Sequence, residues 1–132
     1  MSGQSGIRGY LIQTIITILN SLVDEEWIYI VVEPDIGNDK VDVLWQYAAK
    51  QKVSQIKSSQ NQITLGMAKG WCMELEGNVK NANEYELLLI GPINRDITLN
   101  PKIGNVFIPT PQPLNINSLI NQASNELDKF TR

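Results

Sequence analysis

The sequence predicts an α/β fold in which helices flank a mixed β-sheet. Three segments repeat apolar residues at helical spacing, and short segments rich in aromatic and β-branched residues lie between them. In chain order these elements run α-β-β-β-α-β, followed by a short strand and a C-terminal helix. With 132 residues and 42% hydrophobic content, the chain is long enough to bury a core. We therefore expect a single domain over residues 1–132, which could be the N-terminal domain of a longer protein.

The first predicted element is a helix near residues 10–22. Leu11, Ile15, Ile18 and Leu22 recur every three or four positions and define one apolar side. Polar residues interrupt this segment and no small-residue cleavage site follows it, so we do not interpret it as a signal peptide. No apolar run in the sequence reaches the length of a membrane span.

Three strands follow, each with the aromatic and β-branched residues that strands favour. They are predicted at 27–32, 40–46 and 52–57. Turn-forming residues at 34–39 separate the first strand from the second. The short connection 47–51 joins the second strand to the third, which predicts a hairpin.

The second helix is predicted to begin at Ser58 or Ser59, because Ser59 and Gln62 have the spacing of a capping box. Its apolar residues recur every four positions and should face the sheet. They are Ile63, Met67, Trp71 and Leu75. Gly77 and Asn78 end this helix.

The remaining elements follow the second helix. Residues 85–90 predict a buried strand that stops at Gly91, and the preceding helix should cross over the sheet to place this strand parallel to a neighbour. Residues 106–108 predict a short strand. Asn115 or Asn117 should cap the last helix.

Two residue counts restrict the chemistry available to this chain. The sequence contains no histidine, which excludes Ser-His and Cys-His catalysis and histidine-ligated metal sites. Its single cysteine, Cys72, excludes an internal disulfide and a cysteine-based zinc site. We interpret Cys72 as a small buried apolar residue. Acid–base or metal chemistry must therefore come from carboxylates, lysine or water.

Four polar residues lie in or beside the three predicted strands: Glu33, Asp42, Gln55 and Lys57. Because side chains alternate faces along a strand, Gln55 and Lys57 should share one face. Two carboxylates, an amide oxygen and an ammonium at adjacent strand ends have the chemistry to hold a divalent cation and a phosphate. We expect Asp42, Gln55 and Lys57 to line one cleft, with Glu33 at its rim. The tips of Asp42 and Lys57 should approach within about 8 Å, a distance that a metal and a phosphate oxygen can span.

Charge is unevenly distributed, although the net charge is only −3. Residues 40–70 contain five lysines and one acidic residue, whereas the rest of the chain contains six basic and thirteen acidic residues. This positive segment surrounds Asp42 and Lys57 and would attract a polyanion. A lysine-rich hairpin that simply stays soluble is the alternative explanation.

The element order, with Asp42 on the second strand and Gln55-Ile56-Lys57 on the third, resembles the PD-(D/E)xK restriction-endonuclease-like nucleases. Their third-strand motif is acidic-x-Lys, and the Gln-x-Lys form found here is similar to the Mrr-like branch. With Gly9-Tyr10-x-x-Gln13 on the first helix and Glu33 after the first strand, the arrangement looks most like the DNA endonuclease domains at the N-terminus of prokaryotic anti-phage defence effectors. The resemblance spans roughly residues 6–90 and implies a restriction-endonuclease-like core.

The resemblance implies a role for each polar residue. Asp42 would be the principal metal ligand, Glu33 a second acidic ligand, and Gln55 an oxygen ligand in place of the family's acidic residue. Lys57 would activate the attacking water and contact the phosphate, and Gln13 would reach the same cleft. The implied activity is hydrolysis of DNA phosphodiester bonds with Mg²⁺ or Mn²⁺ as the cofactor.

The resemblance also implies double-stranded DNA as the substrate and the prokaryotic cytoplasm as the setting. Lys50, Lys52 and Lys69, together with Gln13, are the candidates for contacting the DNA. A homodimer would provide two active sites for cutting both strands, and a fused or partner effector domain would supply substrate choice.

Each of these residues also has a plainer interpretation. An acidic residue between Val41 and Val43 is unfavourable in a strand, but an exposed edge would tolerate Asp42. Glu33 could be a solvated strand end, and Gln13 a polar residue on the outer side of a helix. Gln55 and Lys57 alone form an ordinary solvent-facing pattern. For the domain as a whole, two alternatives stay open: a catalytically inactive nucleic-acid-binding module on the same fold, and a protein-interaction or assembly domain.

Overall fold

The structure, a computed structural model, describes residues 3–23, 26–32, 41–110 and 116–130. These residues form an α/β fold, as the sequence predicts. In chain order the elements are α1 (Gly3–Val23), β1 (Tyr29–Val32), β2 (Val43–Gln46), β3 (Gln51–Ser58), α2 (Leu65–Asn78), β4 (Glu84–Ile90), α3 (Arg95–Thr98), β5 (Lys102–Ile103), β6 (Val106–Phe107) and α4 (Ile116–Phe130).

The chain divides into two compact units, and the smaller one comprises Met1–Glu26 with Asn115–Arg132. It contains α1 and α4, which contact each other. The buried apolar residues of α1 form one helical stripe: Ile12, Ile15, Ile16 and Leu19. The prediction that Ile18 belongs to this stripe is wrong, since Ile18 is 42% exposed. Among the described helices, none combines the length and apolar character needed to cross a membrane.

The larger unit, Trp27–Leu114, contains an open, mixed six-stranded sheet with the order β1-β2-β3-β4-β6-β5. Strands β1, β2 and β3 are antiparallel neighbours, β4 is parallel to β3, and β6 is parallel to β4. Strand β5 pairs antiparallel with β6 at the edge. The predicted hairpin of β2 with β3 is confirmed, and so is the parallel crossover through α2.

Helix α2 covers one face of this sheet, and the main apolar core lies between them. Buried side chains of the sheet contribute Val53, Leu87, Leu89 and Val106 to that core. A second apolar cluster, built around Val43 and Trp45, lies on the opposite face. We call the side that carries Val53, Leu87 and Leu89 the α2 face, and the side that carries Val43 and Trp45 the back face.

Helix α2 begins after its N-cap, Thr64, whose Oγ1 accepts a hydrogen bond from a first-turn N–H at 3.2 Å. The predicted start at Ser58 or Ser59 and the capping box of Ser59 with Gln62 are therefore wrong. Strand β3 continues through Ser58. The Ser59 N–H then donates to the carbonyl of Ile90, the last residue of β4, at 3.1 Å, and the Ile63 N–H donates to the Pro92 carbonyl at 2.9 Å. Ser59 and Gln62 do have the spacing of a cap, but residues 59–63 extend beyond β3 and pair with the end of β4 and the residues after it. The helix therefore begins only after this pairing ends.

The buried side of α2 also differs from the predicted one. Ala68, Cys72 and Leu75 are buried. Met67 is 40% exposed, and Ile63 is buried but lies before the helix, in a bridge with the chain after β4. The predicted periodicity therefore places Leu75 correctly and Trp71 in part, since Trp71 packs against this core. It misses the smaller buried residues Ala68 and Cys72.

The short elements after β4 are only partly predicted. Strand β6 coincides with the predicted short strand at 106–108, whereas α3 and β5 give no clear sequence signal. The turn between β5 and β6 is tied to α2, because Glu76 Oε1 accepts a hydrogen bond from the Asn105 N–H at 2.8 Å. Of the two predicted caps of α4, Asn115 lies outside the described residues and Asn117 lies within the helix.

Candidate functional site

Gln55 and Lys57 lie on the α2 face of β3. The register pairs Gln55 with Leu87 and Lys57 with Leu89, and both leucines belong to the core under α2. Ile56 lies between them in sequence and packs against the Trp45 cluster on the back face. The period-two alternation of β3 thus brings the amide and the ammonium to the same side of the sheet.

The side chain of Gln55 is nearly inaccessible, and its oxygen is unsatisfied. Gln55 is 3% exposed, and its Oε1 is buried with no hydrogen-bond partner among the described residues. Leaving a buried acceptor unpaired costs roughly 1–3 kcal/mol. An oxygen held in this way is a place where a donor or a cation would be stabilised.

Asp42 occupies a bend at the start of β2 and contacts the backbone of β3. Val41 belongs to the core under α2, whereas Val43 belongs to the back-face cluster, so the alternation of faces changes phase at Asp42. A one-residue change of phase is what a β-bulge produces. Asp42 Oδ2 accepts a hydrogen bond from the Ile56 N–H at 2.6 Å, and the Asp42 N–H donates to the Ser54 carbonyl at 2.9 Å. The carboxylate therefore lies against the backbone between Gln55 and Lys57.

The ammonium of Lys57 lies over an aromatic ring of α2. Its Nζ is 5.5 Å from the ring centroid of Trp71, a half-buried residue packed against the core. Among the described residues no carboxylate forms an ion pair with Lys57. The contact with Trp71 holds the cation by a cation–π attraction of about 0.5–1 kcal/mol and leaves its N–H donors available for an anion.

The predicted site also includes Glu33 and Gln13. Glu33 lies outside the described residues. Gln13 lies on α1 in the smaller unit, where its carbonyl oxygen accepts a hydrogen bond from Thr17 Oγ1 at 2.8 Å. Gln13 Nε2 is buried and has no hydrogen-bond partner within the described part of the chain.

The three candidate DNA-contacting lysines are dispersed. Lys52 lies on the back face, because it alternates with the residues of β3 that face α2. Its Nζ is 3.6 Å from Glu86 Oε2. Lys50 pairs with Glu84 at 2.7 Å on the surface. Lys69 is exposed on α2. Pairing with β4 thus offsets much of the positive charge that the segment carries in sequence, and Lys52 does not share a face with Lys57.

A buried polar network on the back face is the feature that sequence reasoning missed. Trp45 Nε1 donates to Ser54 Oγ at 3.0 Å, and Ser54 Oγ donates to Glu86 Oε1 at 2.8 Å. The ammonium of Lys52 lies 4.9 Å from the Trp45 ring centroid as well as near Glu86. The available signal was the period-two spacing of Lys52 and Ser54, which places both on the side opposite Gln55.

The described residues limit which groups can hold a metal or act as a nucleophile. They contain no cluster of three or more carboxylate or thiol side chains arranged to bind a metal ion. Burial, and secondarily the charge of Glu76, raises the pKa of the Cys72 thiol to about 11, so it stays protonated at neutral pH. Among the described residues, a cation beside Gln55 would therefore depend on Asp42, amide oxygens and water.

No protein-family model matches the sequence, and no curated protein matches it. Functional assignment therefore rests on the geometry of the residues described above.

Proposed function

We propose that this protein is a metal-dependent endonuclease that hydrolyses phosphodiester bonds in double-stranded DNA. The observation that carries the proposal is the buried Oε1 of Gln55, which has no hydrogen-bond partner among the described residues. It belongs to the strand segment whose backbone the Asp42 carboxylate contacts, and the Lys57 ammonium lies on the same face. An anionic oxygen, a neutral oxygen lacking a donor and an ammonium together suit a cation bridged to a phosphate.

The finer fold assignment, a restriction-endonuclease-like core, is part of the same proposal. It is supported by the order α1-β1-β2-β3-α2-β4, with antiparallel pairing through β3 and parallel pairing of β4 with β3. The setting in prokaryotic anti-phage defence, in the cytoplasm, follows from the resemblance of the Asp42 and Gln-x-Lys pattern. A homodimer or an attached effector domain would supply the second active site or the choice of substrate.

The donor set fits a hard divalent cation. Mg²⁺ prefers oxygen ligands, commonly binds through one or two carboxylates and keeps several waters. Asp42 and Gln55 would hold it, with Glu33 as a second carboxylate. When bound, Mg²⁺ or Mn²⁺ supplies charge neutralisation at the phosphate and lowers the pKa of water.

The chain's own residues have separate tasks in this proposal. Lys57 would contact the scissile phosphate and stabilise the negative charge that develops there. The Ile56 N–H fixes the orientation of the Asp42 carboxylate through the 2.6 Å hydrogen bond. Burial of Gln55 excludes water from one side of the site, which strengthens every electrostatic interaction within it.

A catalytically inactive nucleic-acid-binding module is the second candidate, and two features favour it. Oδ2 of Asp42 already accepts a backbone hydrogen bond, and position 55 carries an amide where the family carries an acid. Both features reduce the negative charge available to a cation. This candidate retains DNA binding through Lys57 and requires no cleavage.

The test is a plasmid-nicking assay with Mg²⁺ and with Mn²⁺. Asp42→Asn keeps an oxygen that can accept from the Ile56 N–H but removes the charge, so it separates metal binding from strand structure. We expect Asp42→Asn and Lys57→Ala each to lower cleavage by at least about 100-fold. Lys80→Ala, an exposed lysine after α2, is the matched control and should cut like wild type.

Binding and melting measurements separate the candidates. Mg²⁺ should raise the melting temperature of wild type and not of Asp42→Asn, because a ligand that binds only the folded state stabilises it. Lys57→Ala should lower the salt slope of DNA binding by about one unit. Binding by wild type without cleavage under any condition would favour the inactive module. Absence of both binding and cleavage would reject both candidates in favour of an interaction domain.

A further inference from the structure

The back face carries a cavity of about 660 Å³ at the end of the sheet where β5 and β6 pair. Its volume falls in the range of small-molecule sites, roughly 300–1,000 Å³. Charged side chains from three strands line it: Lys52, Glu84, Glu86 and Lys102. Two aromatic residues, Tyr85 and Phe107, also line it. Phe107 lies on the back face, whereas Tyr85 pairs with Val53 of the α2 face. All of these residues belong to the larger unit.

One wall of this cavity is held rigidly by the buried network. Glu86 accepts from Ser54, which in turn accepts from the Trp45 indole, and Trp45 is 1% exposed. Lys52 and Glu86 are mostly buried, with side-chain exposures of 16% and 12%. The carboxylate is therefore pre-positioned at the cavity, which lowers the entropy that a ligand would lose on binding.

The other wall combines an exposed ring with a cation. Phe107 is 50% exposed, and the strand register places it opposite Glu86 on one side and Lys102 on the other. Within the described part of the chain, Lys102 forms no ion pair. A carboxylate, an aromatic ring and an ammonium therefore follow one another across three adjacent strands on one face.

This succession matches the chemistry of a nucleotide. An aromatic ring stacks on a base, an ionised carboxylate accepts a hydrogen bond from an exocyclic amine, and lysine binds phosphate as a point charge. We infer that the back-face cavity binds a mononucleotide whose base carries an exocyclic amine, with the base on Phe107 at Glu86 and the phosphate at Lys102. Ion pairing with Lys50 and Lys52 neutralises Glu84 and Glu86, so the carboxylates do not repel the phosphate.

This site is separate from the proposed nuclease site. Lys52 and Glu86 lie on the back face, whereas Gln55 and Lys57 lie on the α2 face of the same sheet. The inference thus adds a ligand to the protein and does not depend on cleavage.

The test is isothermal titration calorimetry of the full chain with CMP, AMP, UMP and cytidine. We expect CMP and AMP to bind, and UMP, which presents a carbonyl where cytosine presents an amine, to bind about tenfold more weakly than CMP. Phe107→Leu keeps the apolar volume but removes the ring, and should weaken CMP binding about tenfold. Lys102→Ala should lower the affinity for CMP to that for cytidine. Glu86→Gln should abolish the preference for CMP over UMP.

Two variants act as controls, because Lys57→Ala and Lys80→Ala should leave CMP binding unchanged. Absence of binding by all nucleotides up to millimolar concentration would overturn the inference. So would CMP binding that Phe107→Leu and Lys102→Ala leave intact, or that Lys57→Ala removes. The plasmid assay and this titration use different residues, so failure of one is distinguishable from failure of the other.

Discussion

On the back face of β3, Ser54 both donates and accepts a hydrogen bond, and Lys52 lies beside a carboxylate and over an indole ring. One residue further along, on the α2 face, Gln55 is equally buried and its oxygen has no partner among the described residues. On its back face, β3 therefore carries a paired row of polar side chains, Lys52 and Ser54. On its α2 face it carries Gln55, whose oxygen is unpaired among the described residues.

The difference separates two uses of a buried polar group. A paired network fixes side chains, and at the back-face cavity it fixes the carboxylate of Glu86. An unpaired acceptor lowers stability unless a ligand completes it. Burial alone does not tell a paired polar group from an unpaired one, since Ser54 and Gln55 are 0% and 3% exposed. The hydrogen-bond partners decide which face is structural and which is incomplete.

The largest effect on stability is expected from breaking the paired row. Ser54→Ala leaves the buried Trp45 N–H without an acceptor and should lower the free energy of unfolding by about 1–3 kcal/mol, measured by urea denaturation. Ser58→Ala, at the exposed end of the same strand, is the control and should change it by less than about 0.5 kcal/mol. In a Trp45→Phe background, Ser54→Ala should cost less, because the orphaned donor is gone. Equal costs in both backgrounds would contradict this assignment.

Substitution of Gln55 on the α2 face should change the free energy of unfolding in the opposite direction. Gln55→Met replaces the orphaned oxygen with an apolar chain of similar size and should raise the free energy of unfolding by about 1–2 kcal/mol. It should also remove stabilisation by Mg²⁺. Gln51→Met on the same face is the control, because Gln51 Nε2 already donates to Gln46 Oε1 at 2.7 Å and nothing is gained by its removal. Destabilisation by Gln55→Met would show that its oxygen is satisfied.

A pH titration tests whether the core under α2 is dry. Burial raises the pKa of Cys72 from 9.0 to about 11, so the unfolded chain releases this proton at lower pH than the folded chain. Stability from this group is complete below pH 9 and declines as the pH rises towards 11, by about 1 kcal/mol between pH 9 and pH 10. The readout is the difference between wild type and Cys72→Ala in urea unfolding at each pH. The raised pKa of Tyr85 affects both proteins alike. A difference that does not change with pH would mean that solvent reaches the thiol.

The smallest effect concerns the rim of the back face. Lys50 and Glu84 form an ion pair at 2.7 Å, but their side chains are 42% and 46% exposed. Such pairs contribute about 0.2–1 kcal/mol, so Lys50→Ala should change the free energy of unfolding by less than about 0.5 kcal/mol. A double-mutant cycle with Glu84→Ala measures the coupling. A coupling above about 1 kcal/mol would show that this pair is held as firmly as the buried network of Lys52, Glu86 and Ser54.

The local patterns of the sequence predict the fold class and the strand connections well. The hairpin of β2 with β3 and the parallel placement of β4 depend on short-range features: strand composition, a short connection and a crossover helix. The start of α2 was missed because Ser59 donates its N–H to Ile90, a partner 31 residues away that no local cap signal reveals.

The candidate site is predicted less completely, and Asp42 shows why. An acidic residue between Val41 and Val43 is unfavourable in a regular strand, and the resemblance implies a metal ligand there. The structure provides a local reason for it, since the carboxylate accepts the Ile56 N–H at a change of strand phase. The excess of lysine was likewise interpreted as a DNA surface, yet Lys50 and Lys52 pair with acids on β4, 34 residues away in sequence. A count of charges over residues 40–70 does not include the acidic residues of β4 that neutralise Lys50 and Lys52 in the folded chain.

The lysines that lie over indole rings have a spectroscopic consequence. Lys57 Nζ is 5.5 Å from the Trp71 ring centroid, and Lys52 Nζ is 4.9 Å from that of Trp45. A charge that moves beside an indole shifts its fluorescence, so a ligand that draws either ammonium away changes the emission of one tryptophan and not the other. Each candidate site thus lies beside its own fluorophore. Comparing wild type with Trp71→Phe and with Trp45→Phe would identify which of the two sites a ligand has reached without any added label, since Trp27 is common to all three proteins.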